Sequence, residues 1–138
     1  MNTNLRIKNK IKREDLVYPE LSYQIIGILF NVHNSLGHGF AEKIYQKAVA
    51  TNFRNSGLKF QEQVYAPLVY QEERVGFHYF DFLVENKIVV EIKKGNRFLK
   101  SDIEQVYQYL LNMNLKLGIL AYFAPNKLHS KRIINLDS

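Results

Sequence analysis

The segment that most constrains the fold is YFDFLVENKIVVEIKKG, residues 79–95, in which two apolar runs flank a short polar turn. Runs of this length, rich in β-branched and aromatic residues, predict two antiparallel strands joined as a hairpin. Each predicted strand also carries an acid, Asp81 in the first and Glu91 in the second. Because side chains alternate along a strand, Lys93 lies on the same face as Glu91.

A turn centred on Asn86 pairs Asp81 with Glu91, since each lies five residues from it, and likewise pairs Leu83 with Val89. Strand alternation then predicts a second, apolar face. Its expected members are Phe80, Phe82, Val84, Ile88, Val90 and Ile92.

Directly opposed carboxylates destabilise a sheet unless a positive charge lies between them. Mg²⁺ suits such a position, because it takes one or two carboxylates together with waters and phosphate oxygens. Lys93 would then contact the phosphate or a metal-bound water. The alternative is a surface ion cluster in which Asp81 pairs with Lys93 and Glu91 is exposed. The apolar flanks of IVVEIK, residues 88–93, favour a cleft over an open surface.

The rest of the chain predicts an α/β domain with a mixed sheet flanked by helices. Pro19 is expected to open a first helix that ends at LGHG, residues 36–39, and a second helix with Ile44 on its buried face ends before Gly57. A strand over residues 60–70 precedes the hairpin, and SDIE, residues 101–104, has the form of a capping box that starts a third helix. The apolar run over residues 115–125 predicts a buried strand, parallel to the strand at 88–93, and residues 129–136 an edge strand. Residues 1–17 are expected to form a loose basic arm, and residues 18–138 one domain.

Composition narrows the classes of protein and site. The 138 residues include no cysteine, which excludes disulfides, thiolate metal sites and cysteine nucleophiles and fits a cytoplasmic location. No apolar run is long enough to cross a membrane, and no glycine-rich phosphate loop is present. Three of the four histidines, His33, His38 and His78, lack metal-ligand spacing and are expected to be structural.

The formal net charge of +6 is unevenly distributed and predicts a polyanionic partner such as nucleic acid. The basic residues fall in an N-terminal, a post-hairpin and a C-terminal cluster: Arg6, Lys8, Lys10, Lys12 and Arg13; Lys93, Lys94, Arg97 and Lys100; and Lys127, Lys131 and Arg132.

Three motifs together resemble a known family. Asp81 followed by Glu91-Ile92-Lys93 is similar to the D…ExK pattern of the PD-(D/E)xK nuclease superfamily, with Phe80 in the place of the proline. GFAEKIY, residues 39–45, resembles the pattern of its GxxExxY branch. QVYQY, residues 105–109, is similar to the QxxxY element of exonuclease-type members. The resemblance covers residues 20–125.

This resemblance implies a restriction-endonuclease-like core and a metal-dependent nuclease, that is, an Mg²⁺- or Mn²⁺-dependent phosphodiesterase acting on nucleic acid. By position, Asp81, Glu91 and the Ile92 carbonyl would hold the metal, Lys93 would orient or activate the attacking water, and Glu42 would approach the site. Gln105 and Tyr109 would line the cleft, and the expected nucleic-acid contacts also include Tyr45, Lys94, Arg97 and Lys100. Tyr45 could equally be a core aromatic.

The expected partner is nucleic acid, with DNA favoured over RNA and no membrane, while a homodimer or a protein partner is left open. Two other functions remain at this point. One is a nucleic-acid- or protein-binding module of nuclease fold with weak or no catalytic activity. The other is a structural interaction protein whose acids form salt bridges.

Overall fold

In the computed structural model, which describes residues 17–137, three helices flank a five-stranded sheet. The predicted basic arm lies outside the described residues except for Val17. In chain order the elements are α1 (Pro19–Leu36), α2 (Glu42–Asn55), β1 (Phe60–Tyr70), β2 (Glu73–Val84), β3 (Ile88–Lys94), α3 (Lys100–Met113), β4 (Leu117–Phe123) and β5 (Leu128–Ile134).

The sheet is mixed, as predicted, with the strands in the order β1-β2-β3-β4-β5. Three neighbouring pairs are antiparallel, and β3 pairs with β4 in parallel through the α3 crossover. All seven residues of β4 are buried, as expected for a strand covered on both faces. The predicted C-terminal edge strand is β5.

Two apolar cores lie on the two faces of the sheet. α1 and α2 pack on one face through side chains that include Leu29 and Phe53, and α3 packs on the other through Val106 and Leu110. Strand β4 alternates between them: Ile119 belongs to the α1/α2 core and Leu120 to the α3 core. Helix α2 therefore reaches the central strands from one face and α3 from the other.

The predicted end of α2 is confirmed, whereas the predicted start of α3 is not. Gly57 follows α2 with φ of 76°, and the Leu58 and Gly57 N–H groups donate to the carbonyls of Phe53 and Arg54. This is the C-terminal arrangement that favours glycine, and it confirms the predicted end. The predicted capping box is wrong, because α3 begins at Lys100 after an extended Leu99, and no side chain caps its N-terminus.

The buried face of α2 is rotated from the predicted one. Its core side chains are Tyr45, Val49, Ala50 and Phe53, whereas Ile44 is 45% exposed. Within residues 17–137, no helix is long and apolar enough to cross a bilayer.

Candidate functional site

The predicted hairpin register is confirmed. Phe82 pairs with Val90, Leu83 with Val89 and Val84 with Ile88, so the next pair outward from the turn is Asp81 and Glu91. Both carboxyl groups are buried, with only 6% and 7% of the two residues exposed. The acids thus lie deep within the sheet, and the alternative of an exposed Glu91 is contradicted.

Regular main-chain pairing between β2 and β3 ends at Phe82 and Val90, and side chains take over beyond it. The Ile92 N–H donates to Asp81 Oδ2 at 2.7 Å, and the Asp81 N–H donates to Glu91 Oε1 at 3.3 Å. Each acid therefore accepts a backbone hydrogen bond from the opposite strand. These contacts fix both carboxylates at the point where the strands separate.

An irregularity on the other side of β2 explains how Asp81 reaches this position. Gln63, which faces Asp81 across the β1–β2 ladder, has a left-handed φ of 51° and is skipped in the pairing. The strand faces exchange at this point: Phe80 packs in the α3 core and Phe82 in the α1/α2 core. The prediction that Phe80 shares a face with Phe82 is therefore wrong, because simple alternation fails at Asp81.

Two further side chains complete the hydrogen bonding of the acids, and neither was predicted from the sequence to be a site residue. Gln46 Nε2 donates to Asp81 Oδ1 at 2.8 Å, and His78 Nε2 makes a short contact with Glu91 Oε2. Gln46 lies one helical turn after Glu42, a spacing that would have indicated it. His78, expected to be structural, lies three residues before Asp81, and only the face exchange brings it to Glu91. His33 is structural as expected, since its Nε2 lies 2.7 Å from the Ala124 carbonyl oxygen in the core.

Burial and the negative charge of Glu91 set the charge state of Asp81. Desolvation, followed by the negative charge of Glu91, raises the pKa of Asp81 to about 7, against the opposing hydrogen bond from the Ile92 N–H. The charge of Glu42 raises the Asp81 pKa further, which places this third acid near the pair. A cation at the pair would favour the ionised form of Asp81.

Glu42 and Lys93 lie on two different elements next to the pair. Glu42 is the first residue of α2, and its Oε1 accepts the Lys94 N–H at 2.9 Å, which joins α2 to the end of β3. Lys93 is half-buried on the Glu91 side of β3. Among residues 17–137, neither Asp81 nor Glu91 forms an ion pair with Lys93. The alternative that pairs Asp81 with Lys93 is therefore contradicted.

The predicted nucleic-acid contacts lie in different environments. Tyr45 is 1% exposed, its ring stacks on Phe123 at 4.4 Å, and its hydroxyl donates to the Gly37 carbonyl at 2.6 Å. Tyr109 is also buried, against the rings of His78 and Phe80. Both tyrosines are core residues here. The exposed candidates are Gln105, Lys94, Arg97 and Lys100, of which Lys100 lies 3.8 Å from Glu104.

The donor set fits a small divalent cation that keeps waters. Within the described part of the chain, no three His, Asp or Glu side chains converge as a ready-made metal site. Mg²⁺ does not need one, because one or two carboxylates suffice when water and substrate oxygens complete the octahedron. The N–H and C=O of one strand residue point to the same neighbour, so the Ile92 carbonyl faces the side on which Asp81 lies.

Comparisons with known proteins identify the family and the fold. The family model described as the PD-(D/E)XK nuclease superfamily matches residues 19–133. Among similar solved structures is the crystal structure of SSO0001, with a TM-score of 0.53 and 19% sequence identity over 68% of this chain. The chain spans about half of that structure, since the match covers 50% of it. No functionally curated protein matches the sequence. The mixed sheet with its flanking helices is an α/β fold consistent with a restriction-endonuclease-like core.

Proposed function

Because the chain belongs to the PD-(D/E)XK nuclease superfamily, we propose that it is a metal-dependent nuclease that hydrolyses phosphodiester bonds in nucleic acid. The observation that carries the proposal is the burial of Asp81 and Glu91 side by side at the end of the β2–β3 pairing, with Lys93 on the Glu91 side. A buried pair of like charges lowers the stability of the fold, and such pairs are found at functional sites.

We place the chain in the GxxExxY branch on the basis of Gly39, Glu42 and Tyr45. In the structure this motif has local roles that do not depend on the comparison. Gly39 has φ of 99°, Glu42 binds the end of β3, and the Tyr45 hydroxyl binds the loop before α2. The motif therefore fixes the start of α2 against the strand that carries Glu91.

The Asp81 and Glu91 carboxylates and the Ile92 carbonyl would hold Mg²⁺ or Mn²⁺. When bound, such an ion polarises the scissile phosphate and lowers the pKa of a coordinated water. Gln46, which donates to Asp81 Oδ1, and His78, which contacts Glu91 Oε2, would orient the two carboxylates. Glu42 holds the main chain of Lys94 and so positions the adjacent Lys93.

Lys93 supplies a positive charge next to the two carboxylates, where the reacting phosphate would lie. An ammonium next to the phosphate stabilises negative charge that grows as the phosphodiester bond breaks. The exposed residues Lys94, Arg97, Lys100 and Gln105 would contact the nucleic-acid backbone. Tyr45 and Tyr109 are left out of this surface because they are buried. DNA rather than RNA as substrate, and a cytoplasmic location, stay predictions.

The test is cleavage of labelled single- and double-stranded DNA and RNA with Mg²⁺ or Mn²⁺. We expect wild-type protein and a Glu20→Gln control, an exposed acid on α1, to cleave at least one of these substrates. Glu91→Ala should be inactive. No metal-dependent cleavage by wild type, or equal cleavage by Glu91→Ala, would overturn the proposal.

One observation favours a second candidate, a binding module of the same fold with little activity. Each carboxylate oxygen of the pair already has a hydrogen-bonding partner: the Ile92 N–H and Gln46 for Asp81, and the Asp81 N–H and His78 for Glu91. The pair is therefore held in place without a metal. Salt-sensitive nucleic-acid binding without cleavage would select this function.

A further inference from the structure

Three aromatic rings lie side by side on an exposed face of the β1–β2 hairpin. Tyr65 pairs directly with Tyr79 across the strands, and Phe77 contacts both rings, with centroid distances of 5.7–5.9 Å among the three. Tyr65, Phe77 and Tyr79 are 42%, 52% and 49% exposed. We call these three residues the aromatic face. Rings that pack on one another but leave half of their surface in water present a contact surface to a partner.

Positive charge accompanies the aromatic face. The Arg74 guanidinium lies 5.4 Å from the centre of the Phe77 ring, and its Nη1 donates to the Tyr65 hydroxyl at 2.9 Å. The guanidinium is therefore fixed over the rings, where an Arg can pair with phosphate. An arginine held among exposed rings favours an anionic partner that also has flat apolar groups.

Helix α2 brings further cations to the same side of the sheet. Arg54 lies 5.8 Å from the centre of the Phe60 ring of β1, which shows that this flank of α2 faces β1. Lys43 and Lys47 precede Arg54 by eleven and seven residues, a helical spacing that places them on the same flank. Both lysines are exposed.

The aromatic face is continuous with the candidate site. Tyr79 precedes Asp81 by two residues in β2, a distance of about 7 Å along the strand. Gln46, which binds Asp81, lies between Lys43 and Lys47 in the sequence of α2. A chain bound along the hairpin toward α2 would therefore arrive at the paired carboxylates.

We infer that the aromatic face binds single-stranded nucleic acid by stacking unpaired bases on Tyr65, Phe77 and Tyr79, and delivers it to Asp81 and Glu91. This inference rests on the proposed function for what happens at the carboxylates. Rings stack on bases only when the bases are not paired inside a duplex, and stacking contributes regardless of sequence. Arg74 and the α2 lysines match the phosphates. A second copy of this chain carries positive charge itself, so it is less complementary to the aromatic face than nucleic acid is.

The absence of tryptophan allows a direct test of stacking. Phe77→Trp places a single indole in the aromatic face, and Tyr23→Trp places one on α1 at a residue that is 82% exposed. With EDTA present to prevent cleavage, we expect a 20-mer of deoxythymidine to quench the Phe77→Trp emission. A 20-base-pair duplex should quench it far less, and Tyr23→Trp should respond to neither. Binding of the 20-mer without quenching at Phe77→Trp, or no binding at all, would overturn the inference.

Affinity measurements test whether the aromatic rings, rather than their apolar bulk, bind the bases. Replacing both Phe77 and Tyr79 with leucine keeps apolar bulk but removes two rings. It should weaken 20-mer binding tenfold or more, since a loss of about tenfold corresponds to one stacked base. Because no cation is removed, the slope of log affinity against log salt should stay the same. Tyr23→Leu should bind like wild type. Unchanged affinity in the double variant would contradict the inference.

The outcomes separate this inference from the nuclease proposal. If the 20-mer quenches Phe77→Trp but no substrate is cleaved, stacking holds and the nuclease proposal fails. If cleavage occurs and the leucine double variant binds and cleaves normally, the nuclease proposal holds and the stacking inference fails. If the double variant changes only the oligomeric state in gel filtration, the face is a self-association surface and the inference is wrong.

Discussion

Asp81 concentrates the conflicting demands of the candidate site in one residue. Its carboxyl group is buried next to another acid, yet it accepts hydrogen bonds from Ile92 N–H and Gln46 Nε2. These bonds stabilise the ionised form, whereas burial and Glu91 oppose it more strongly, and the pKa rises to about 7. In the metal-free protein the surroundings of Asp81 therefore disfavour its ionised form at neutral pH.

The raised pKa of Asp81 predicts how metal-free stability depends on pH. Below the ordinary pKa of 3.8 the group is protonated in both the folded and the unfolded chain. As the pH rises from about 4 to about 7, the unfolded chain releases this proton and the folded chain keeps it, so the free energy of unfolding falls. Asp81→Asn removes this contribution, because an amide does not titrate. Its oxygen can accept from the Ile92 N–H, and its NH2 group can donate to Gln46 Oε1 once the Gln46 amide is turned over.

Urea unfolding of both proteins in EDTA, between pH 4.5 and pH 8, measures this effect. Asp81→Asn should gain stability relative to wild type as the pH rises, and should be at least as stable at pH 8. A stability difference that does not change with pH would contradict the assigned pKa shift.

Replacing Lys93 should lower the cleavage rate rather than the affinity for metal. Lys93→Met should lose about 10² or more in cleavage rate, since the ammonium acts on charge that develops in the transition state. Metal affinity should stay within several-fold. Lys94→Met is the matched control on the opposite face of β3, and it should weaken substrate binding while retaining most of the rate. A Lys93→Met enzyme with a near-normal rate would remove Lys93 from the mechanism.

The sequence predicted the carboxylate pair but not the groups that support it. Asp81 and Glu91 could be placed together because a tight turn fixes the strand register around Asn86. His78 and Gln46 could not be placed in the same way. His78 reaches Glu91 only because strand alternation breaks at Asp81, and Gln46 reaches Asp81 only because α2 packs across the sheet.

At the scale of elements, the break at Gln63 and Asp81 is the feature that forms the site. A left-handed φ of 51° is unfavourable for glutamine and costs glycine nothing. We therefore predict that Gln63→Gly leaves stability unchanged or raises it, by up to about 1 kcal/mol.

Glu62→Gly is the control for this prediction, because Glu62 lies in regular pairing with Phe82. There, glycine should lower stability by about 0.5–1 kcal/mol. Thermal or urea unfolding of the two variants measures the difference. Equal destabilisation by both would show that the strand has no special conformation at Gln63.

The elements themselves were largely predictable, because their patterns are strong. Helix α1 follows Pro19, β4 is a continuous apolar run, and Gly57 ends α2 in the conformation that glycine favours. The start of α3 was misplaced because SDIE has the residues of a capping box although Ser101 lies inside the helix. Short polar motifs are weaker evidence than apolar periodicity, since packing decides where a helix begins.

At the scale of the whole molecule, the net charge of +6 predicts steep salt dependence of nucleic-acid binding. The slope of log affinity against log salt should be about 0.7–0.9 per phosphate contacted. Removing residues 1–13, which carry five of the basic residues, should reduce the slope if the arm contacts nucleic acid. Fluorescence anisotropy over a salt series measures it. Salt-independent binding would count against a nucleic-acid partner.

The most direct test of the account is a thermal melt of wild type, Glu91→Gln and the Glu20→Gln control with and without divalent metal. An ion that binds only the folded site raises the melting temperature once its concentration passes the dissociation constant. Mg²⁺ or Mn²⁺ should therefore stabilise wild type and Glu20→Gln, and Glu91→Gln should lose most of that rise while being at least as stable as wild type in EDTA. A wild type indifferent to both ions, together with a Glu91→Gln protein that melts below it in EDTA, would contradict the metal site and the nuclease mechanism built on it.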